Sequence, residues 1–282
     1  MAPSSVALLL CATLVAGAGC RKSDAPPGSA EGRTPAAVPS AAGSQHDPDV
    51  AVPGPGADLA ATDAGLLAEE VPVRTGCADG SARRIPEAPD PAQDGFTLEE
   101  AVAGLPGAGP GLVALLRTSV GELRCTLEQD GAPRTVASFV GLARGVRPWW
   151  DPCRGNWVRV PLYDGLAFHR LEPGFVAQVG CPIGDGTGGP GFALPDEAQA
   201  EARHDGPGVL GLALVGPGTG GSQFYVTLAA APELDRRHTV FGRCGPDEAV
   251  ARLDRAARAG EPVRLLQVTI ERVAETRAGG GA

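Results

Sequence analysis

Regular spacing of apolar residues predicts the first elements of a folded domain. Two apolar runs, LVALLRT from residue 112 and ELRCTLE from residue 122, flank a turn and predict a β-hairpin. Pro133 then begins a segment whose apolar residues recur at helical spacing, and Gly145 ends it. This segment is predicted to be a helix whose apolar stripe belongs to the core.

Further elements are predicted on either side of this region. Thr97 and Glu100 match a capping box that opens a short helix, and Gly104 closes it. A helix is predicted over 248–259 and an alternating strand over 263–273. Short strands with Gly and Pro turns lie between these elements, without the alternation of strands and helices that marks a parallel sheet. The pattern predicts a mainly β fold, a closed antiparallel barrel.

The first twenty residues have the pattern of an export signal. The apolar run from Val6 to Val15 is too short to span a bilayer but suits a signal peptide. Small residues follow it, end in Cys20 and resemble the bacterial lipoprotein box, which implies a lipid on Cys20. An ordinary signal peptide, with Cys20 left as a thiol, is the alternative. We expect an exported protein, anchored to a membrane of the cell envelope or periplasm by its lipid.

Composition divides the remainder of the 282 residues. Residues 21–94 are rich in Pro, Ala and Gly and lack apolar periodicity, so a disordered tether is predicted there. The folded domain is placed at 95–276 and a disordered tail at 277–282. The net charge of −9 argues against a nucleic-acid partner, because binding phosphates requires a basic face.

Two stretches have an unusual composition for core strands. FHRLEPGFVAQ at 168–178 carries the basic side chain Arg170 among apolar residues and a glutamine, and GPGTGGSQFYV at 216–226 is rich in glycine. Two interpretations follow, either a solvated strand end with a surface salt bridge or a pocket with one guanidinium donor.

These stretches also belong to a set of four motifs. FHRLEPGFVAQVG, GTGG at 186–189, GPGTGGSQFYVT and LDRRHTVFG at 234–242 occur in an order and spacing that resemble the cyclophilins, which are peptidyl-prolyl cis-trans isomerases. The resemblance implies a closed eight-stranded barrel capped by two helices. It also implies that the protein rotates X-Pro bonds, acts on proline-containing peptides and unfolded clients, assists the folding of exported proteins, and needs no cofactor or metal.

The resemblance further assigns a role to individual residues. Arg170 matches the family's catalytic arginine, which would stabilise the twisted transition state, and His238 would pack beside the proline ring. The residues implied are Arg170, Phe175, Gln178 and His238 for catalysis, and Val176, Ala213, Leu214, Gln223, Tyr225 and Leu234 for substrate binding.

Three positions depart from the family pattern. Tyr225 stands where phenylalanine is common, and its hydroxyl requires a partner. Leu214 replaces an asparagine, and Glu233 replaces a tryptophan that contributes to cyclosporin binding, so weak binding of that drug is expected. The departures at Leu214 and Glu233 leave open an alternative function, a catalytically weak module that binds proline-containing partners.

The cysteines and tryptophans leave further alternatives open. By the resemblance, Cys125 and Cys244 lie on neighbouring strands, which makes them a candidate disulfide or two buried thiols. Residues 146–162 contain all three tryptophans and are longer than the corresponding link in the family. This insertion is either a substrate-specificity or docking loop, or a local hydrophobic latch.

Overall fold

The computed structural model describes residues 76–77, 80–93, 95–199 and 201–274. The chain divides into two compact units, residues 1–57 and 58–282, and every described residue belongs to the second. The predicted signal peptide, Cys20, the tail 277–282 and the tether up to residue 75 lie outside the described residues. No helix in the described ranges is long and apolar enough to cross a membrane.

The described chain is mainly β, with three α-helices and one turn of 3₁₀ helix. The helices are α1 Leu98–Val102, α2 Pro133–Arg144 and α3 Asp247–Ala259, and the 3₁₀ turn is Pro232–Leu234. The strands are β1 Gly111–Thr118, β2 Gly121–Leu127, β3 Trp149–Asp151, β4 Asn156–Val158, β5 Leu166–Ala167, β6 Arg170–Glu172, β7 Val176–Val179, β8 Val209–Leu212, β9 Phe224–Thr227, β10 Val240–Gly245 and β11 Arg264–Val273.

The helix boundaries follow from the residues at their ends. The side chain of Thr97 accepts from the backbone N–H of Glu100 while the Glu100 carboxylate accepts from the N–H of Thr97, which confirms the predicted capping box. Pro133 opens α2, and Gly145 ends it in the left-handed conformation with φ of 70°. Gly260 ends α3 in the same way.

The main sheet has nine strands, not the eight expected for a closed barrel. Their order is β5-β11-β1-β2-β10-β8-β9-β7-β6, and each neighbouring pair is antiparallel. Within the described chain no ladder joins the edge strands β5 and β6, so hydrogen-bonded closure is not confirmed. Only residues 168–169 separate these strands in the sequence. The backbone therefore connects the two edges of the sheet directly.

The sheet curls around one hydrophobic core. Eight of its strands contribute buried residues to a single cluster, and Leu171 of β6 packs against that cluster. Strands far apart in the sheet order therefore face the same interior. Helix α2 contributes Phe139, whose ring lies 5.3 Å from those of Tyr163, Phe224 and Phe241. The apolar stripe of α2 belongs to the core, as predicted.

The tryptophan insertion forms a separate hairpin from β3 and β4. Trp149 and Trp150 are buried, and the Trp150 indole donates to the carbonyl of Arg83. The Trp157 indole donates to the carbonyl of Ala88. Of the two alternatives left open by the sequence, these contacts favour the local latch, because the hairpin binds an upstream segment of its own chain.

That upstream segment, residues 80–93, is termed the strap. The sequence placed it in a disordered tether, but a disulfide between Cys77 and Cys153 fixes its beginning. Near its end, Asp90 forms an ion pair of 3.5 Å with buried Arg147. The sequence of the strap, rich in charged residues and proline, does not predict this packing. The residues that bind it lie more than 50 positions further along the chain.

A second disulfide joins Cys125 of β2 to Cys244 of β10, the pair named from the sequence. The two residues are direct partners in the antiparallel ladder. Cys181 is a buried free thiol.

Candidate active site

Three adjacent strands bring the candidate residues onto one face of the sheet. Arg170 of β6 lies opposite Gln178 of β7, and Gln178 lies opposite Tyr225 of β9. Directly paired residues in antiparallel strands project to the same side. Tyr225 is paired in turn with Gly211 of β8. A Cβ added to Gly211 would lie 2.3 Å from Cζ of Tyr225. Glycine at this position gives the Tyr225 ring room to lie across β8.

Two glutamines fix the floor of the site. The Gln178 amide donates to Oε1 of Gln223 at 2.8 Å. The Gln223 amide donates in turn to the carbonyls of Gly186 and Gly188, both at 2.8 Å. These bonds set the orientation of the Gln223 amide before any peptide arrives.

Arg170 is exposed and lies at the edge of this face. Its guanidinium forms an ion pair with Glu172 on the same strand, and its Cζ lies 5.5 Å from the centroid of the Phe175 ring. The surface salt bridge considered from the sequence is therefore present. Because both side chains are about half exposed, the pair contributes little stability and leaves the guanidinium within reach of a ligand.

The ring of His238 packs against the ring of Tyr225. The two rings are in an edge-to-face arrangement with centroids 5.7 Å apart. Nδ1 of His238 lies 3.1 Å from the carbonyl oxygen of Leu212, so this nitrogen carries the proton and donates. The backbone N–H of His238 donates to the carbonyl of Leu234 at 3.2 Å, which places the 3₁₀ turn at the same site.

The remaining candidates differ in how much surface they present. Ala213 and Leu214 line a groove that also contains Gln178 and Gln223, and Ala213 is tied to Gln223 by a backbone hydrogen bond of 3.0 Å. Val176 is only 2% exposed, so its contribution to an open wall is small.

Behind Tyr225 is a hydrogen-bonded chain that the sequence did not reveal. The Tyr225 hydroxyl lies 2.8 Å from Nε2 of His204, and Nδ1 of His204 lies 3.0 Å from Oδ1 of Asp235. The backbone N–H of His204 also donates to that oxygen at 2.8 Å. The partner required by the Tyr225 hydroxyl is therefore a buried histidine from a distant loop.

Burial sets the protonation states of this chain. Burial lowers the pKa of His204 and raises that of Tyr225, so a neutral imidazole faces a protonated phenol. The backbone N–H of His204, followed by its side chain, lowers the pKa of Asp235 and keeps the carboxylate ionised. His204 consequently donates from Nδ1 to Asp235 and accepts at Nε2 from Tyr225.

Replacing Tyr225 with phenylalanine is expected to lower the free energy of unfolding by about 1 to 2 kcal/mol, because Nε2 of buried His204 loses its donor. Urea denaturation of Tyr225→Phe measures this change. In a His204→Gln background the same substitution should cost less. Equal costs in the two backgrounds would show that the hydroxyl and imidazole act independently.

Comparison with known proteins places this chain in a family. The model of the family described as cyclophilin type peptidyl-prolyl cis-trans isomerase/CLD matches residues 113–274. The chain is 45% identical over 129 residues to the peptidyl-prolyl cis-trans isomerase A of Mycobacterium tuberculosis, covering 46% of this chain and 71% of that protein. It is 40% identical over 173 residues to the peptidyl-prolyl cis-trans isomerase B of Streptomyces anulatus, covering 59% and 98% of the two chains.

A solved cyclophilin type peptidyl-prolyl cis-trans isomerase from Cryptosporidium parvum aligns with a TM-score of 0.49 and 24% identity, over 58% of this chain and 99% of that chain.

The chain belongs to the cyclophilin-type peptidyl-prolyl cis-trans isomerases. Its activity is the isomerisation of X-Pro peptide bonds. Among the described residues no group of three or more His, Cys, Asp or Glu is placed to hold a metal ion.

Proposed function

We propose that Arg170 accelerates the reaction by stabilising the twisted transition state of the X-Pro bond. Rotation removes the double-bond character of the C–N bond against a barrier of ~18 to 20 kcal/mol. The prolyl nitrogen then becomes pyramidal, and its lone pair, which is shared with the carbonyl in the planar amide, becomes localised on the nitrogen. A donor aimed at this nitrogen stabilises the twisted state and not the planar ground states. The observation that carries the proposal is an accessible guanidinium on the same sheet face as Gln178 and Tyr225.

The same face supports a binding mode for the client. Phe175, Tyr225, Leu234 and His238 are proposed to enclose the proline ring, with Val176 packed behind them. Gln178 and Gln223 are proposed to hold the peptide backbone, and Ala213 and Leu214 the adjoining residue. Because Gln223 is already held by two carbonyls, its amide loses little freedom when a peptide binds. Cis-trans exchange of an Ala-Pro peptide, followed by NMR with wild-type and Arg170→Ala proteins, tests this assignment.

The protein is further proposed to assist the folding of exported proteins while attached to a membrane through lipid on Cys20. The lipoprotein-like end of the first twenty residues supports the attachment. The two disulfides support export, because such bonds persist mainly in oxidising compartments. Several buried acyl chains would hold the protein firmly, since each methylene contributes about 0.8 kcal/mol.

The full chain, expressed in a bacterial host with radiolabelled palmitate, should incorporate the label and fractionate with membranes. Cys20→Ser should abolish both, while Cys11→Ser, a matched change within the apolar run, should retain them. A wild-type protein that is exported and cleaved without acquiring label would contradict the anchor and support an ordinary signal peptide.

A further inference from the structure

A groove of about 550 Å³ continues from the two glutamines of the site. Gln178 and Gln223 line it together with residues 186–193. The loop after β8 contributes Ala213, Leu214, Val215 and Thr219, and the strap contributes Arg84, Ile85 and Pro86. Because the glutamines and the strap line the same groove, a polypeptide held at the glutamines and lying in the groove would contact the strap.

The rim of this groove carries unusually exposed aliphatic side chains. Ile85 of the strap is 82% exposed and Val215 of the loop is 97% exposed. The remaining exposed large apolar residue of the described chain, Val160, is 38% exposed and lies outside the groove. Two such side chains beside one groove indicate a surface that a partner covers.

The groove offers little to a charged ligand. Arg84 is the charged residue of its lining, and its guanidinium is bound by Asp185 at 3.2 Å and Thr187 at 3.0 Å. Hydrogen bonds, the first from the backbone N–H of Thr187, lower the pKa of Asp185 to about 2, so this carboxylate is ionised. Because Asp185 neutralises the charge of Arg84, the exposed side chains of Ile85 and Val215 make the rim suited to an aliphatic side chain of a bound peptide.

The strap is held in place before a client binds. The Cys77–Cys153 disulfide precedes it, and the indoles of Trp150 and Trp157 bind two of its carbonyls. The guanidinium of Arg84 binds Asp185 and Thr187. Such a fixed wall loses little conformational entropy on binding. The strap itself, residues 80–93, precedes residues 113–274, the part of the chain that matches the family model.

We infer that the strap is a specificity-determining wall of the active site, which selects clients carrying an aliphatic side chain within a few residues of the isomerised proline. This inference rests on the isomerase activity and on the proposed binding of the client backbone by Gln178 and Gln223.

The test measures kcat/KM of the full chain by exchange NMR on Ala-Pro peptides with leucine or serine at each flanking position. Wild type should prefer leucine at one or more of these positions. The double substitution Ile85→Ser with Val215→Ser should lower kcat/KM for the preferred leucine peptide about tenfold more than for its serine counterpart. Val160→Ser, a matched loss of an exposed valine outside the groove, should retain the preference.

A second variant tests the strap while retaining both aliphatic residues. Cys77→Ser with Cys153→Ser frees the beginning of the strap and should reduce the leucine preference in the same direction. Equal rates for leucine and serine peptides with wild type, or equal losses on both in the double variant, would overturn the inference. Absence of exchange on every peptide would instead contradict the isomerase activity on which the inference rests.

Discussion

Substituting Arg170 by alanine is expected to lower kcat/KM for an Ala-Pro peptide by about 10²-fold or more. The reason is the loss of one charged donor at the prolyl nitrogen, and removal of a comparable transition-state donor has an effect of this size. Because Arg170 is exposed and its ion pair with Glu172 lies at the surface, the substitution should leave the fold intact. Exchange NMR measures the rate, and the thermal midpoint of unfolding measures the fold.

Two further variants separate the guanidinium from its surroundings. Arg170→Lys keeps a positive charge but supplies a point donor instead of a planar fork, so an intermediate rate is expected. Glu172→Gln removes the ion-pair partner and keeps the guanidinium, so its effect should be far smaller than that of Arg170→Ala. If Arg170→Ala folds normally and matches the wild-type rate, the proposed role of the arginine is wrong.

The elements that the sequence predicted correctly are those with signals inside the element itself. The capping box at Thr97, the proline and glycine that bound α2, and the apolar alternation of the first hairpin all act over a few residues. Closure of the sheet was harder to predict, because it depends on how β5 and β6 meet. These strands have two and three residues, too few to show a period.

Motifs nominated the residues of the candidate site, while the residues that support it carried no such signal. Gln178 and Gln223 stand within stretches that resemble a known family, and the structure brings them to 2.8 Å. His204 lies in none of the four motifs, and Asp235, although it stands within LDRRHTVFG, has no role assigned by the resemblance. The two residues are 31 apart in the sequence and meet only in the folded chain. The hydroxyl of Tyr225 was the available signal, because a buried phenol requires a partner.

The strap shows what composition alone does not reveal. Residues 80–93 are rich in proline and charge, and their own side chains cannot form a core. Their order comes from partners elsewhere, chiefly a disulfide that closes 76 residues and the tryptophan hairpin. The same tryptophans appeared in the sequence as an insertion with two interpretations. The order of the strap and the role of the hairpin both follow from the contacts between them, and these contacts are visible only in the structure.

Removing the Cys125–Cys244 disulfide is expected to lower the thermal midpoint of unfolding by about 10 °C. The bond joins residues 119 apart, and loss of a cross-link over a loop of this length costs about 5 kcal/mol through the entropy of the unfolded chain. For a domain of this size, each kcal/mol shifts the midpoint by roughly 2 to 4 °C. The double variant Cys125→Ala with Cys244→Ala avoids leaving a lone thiol, and calorimetry at matched pH measures the shift.

Cys181→Ala is the matched control, because it removes a buried cysteine that closes no loop. Its midpoint should fall by much less than that of the double variant, since the losses are packing, the contact from the Gly188 N–H to the sulfur and the weak hydrogen bond from the thiol to Asp185. Reducing the wild-type protein should lower its midpoint at least as far as the double substitution does, because reduction also opens Cys77–Cys153. If the double variant unfolds at the wild-type temperature, the cross-link does not stabilise the fold through the entropy of the unfolded chain, and the prediction is wrong.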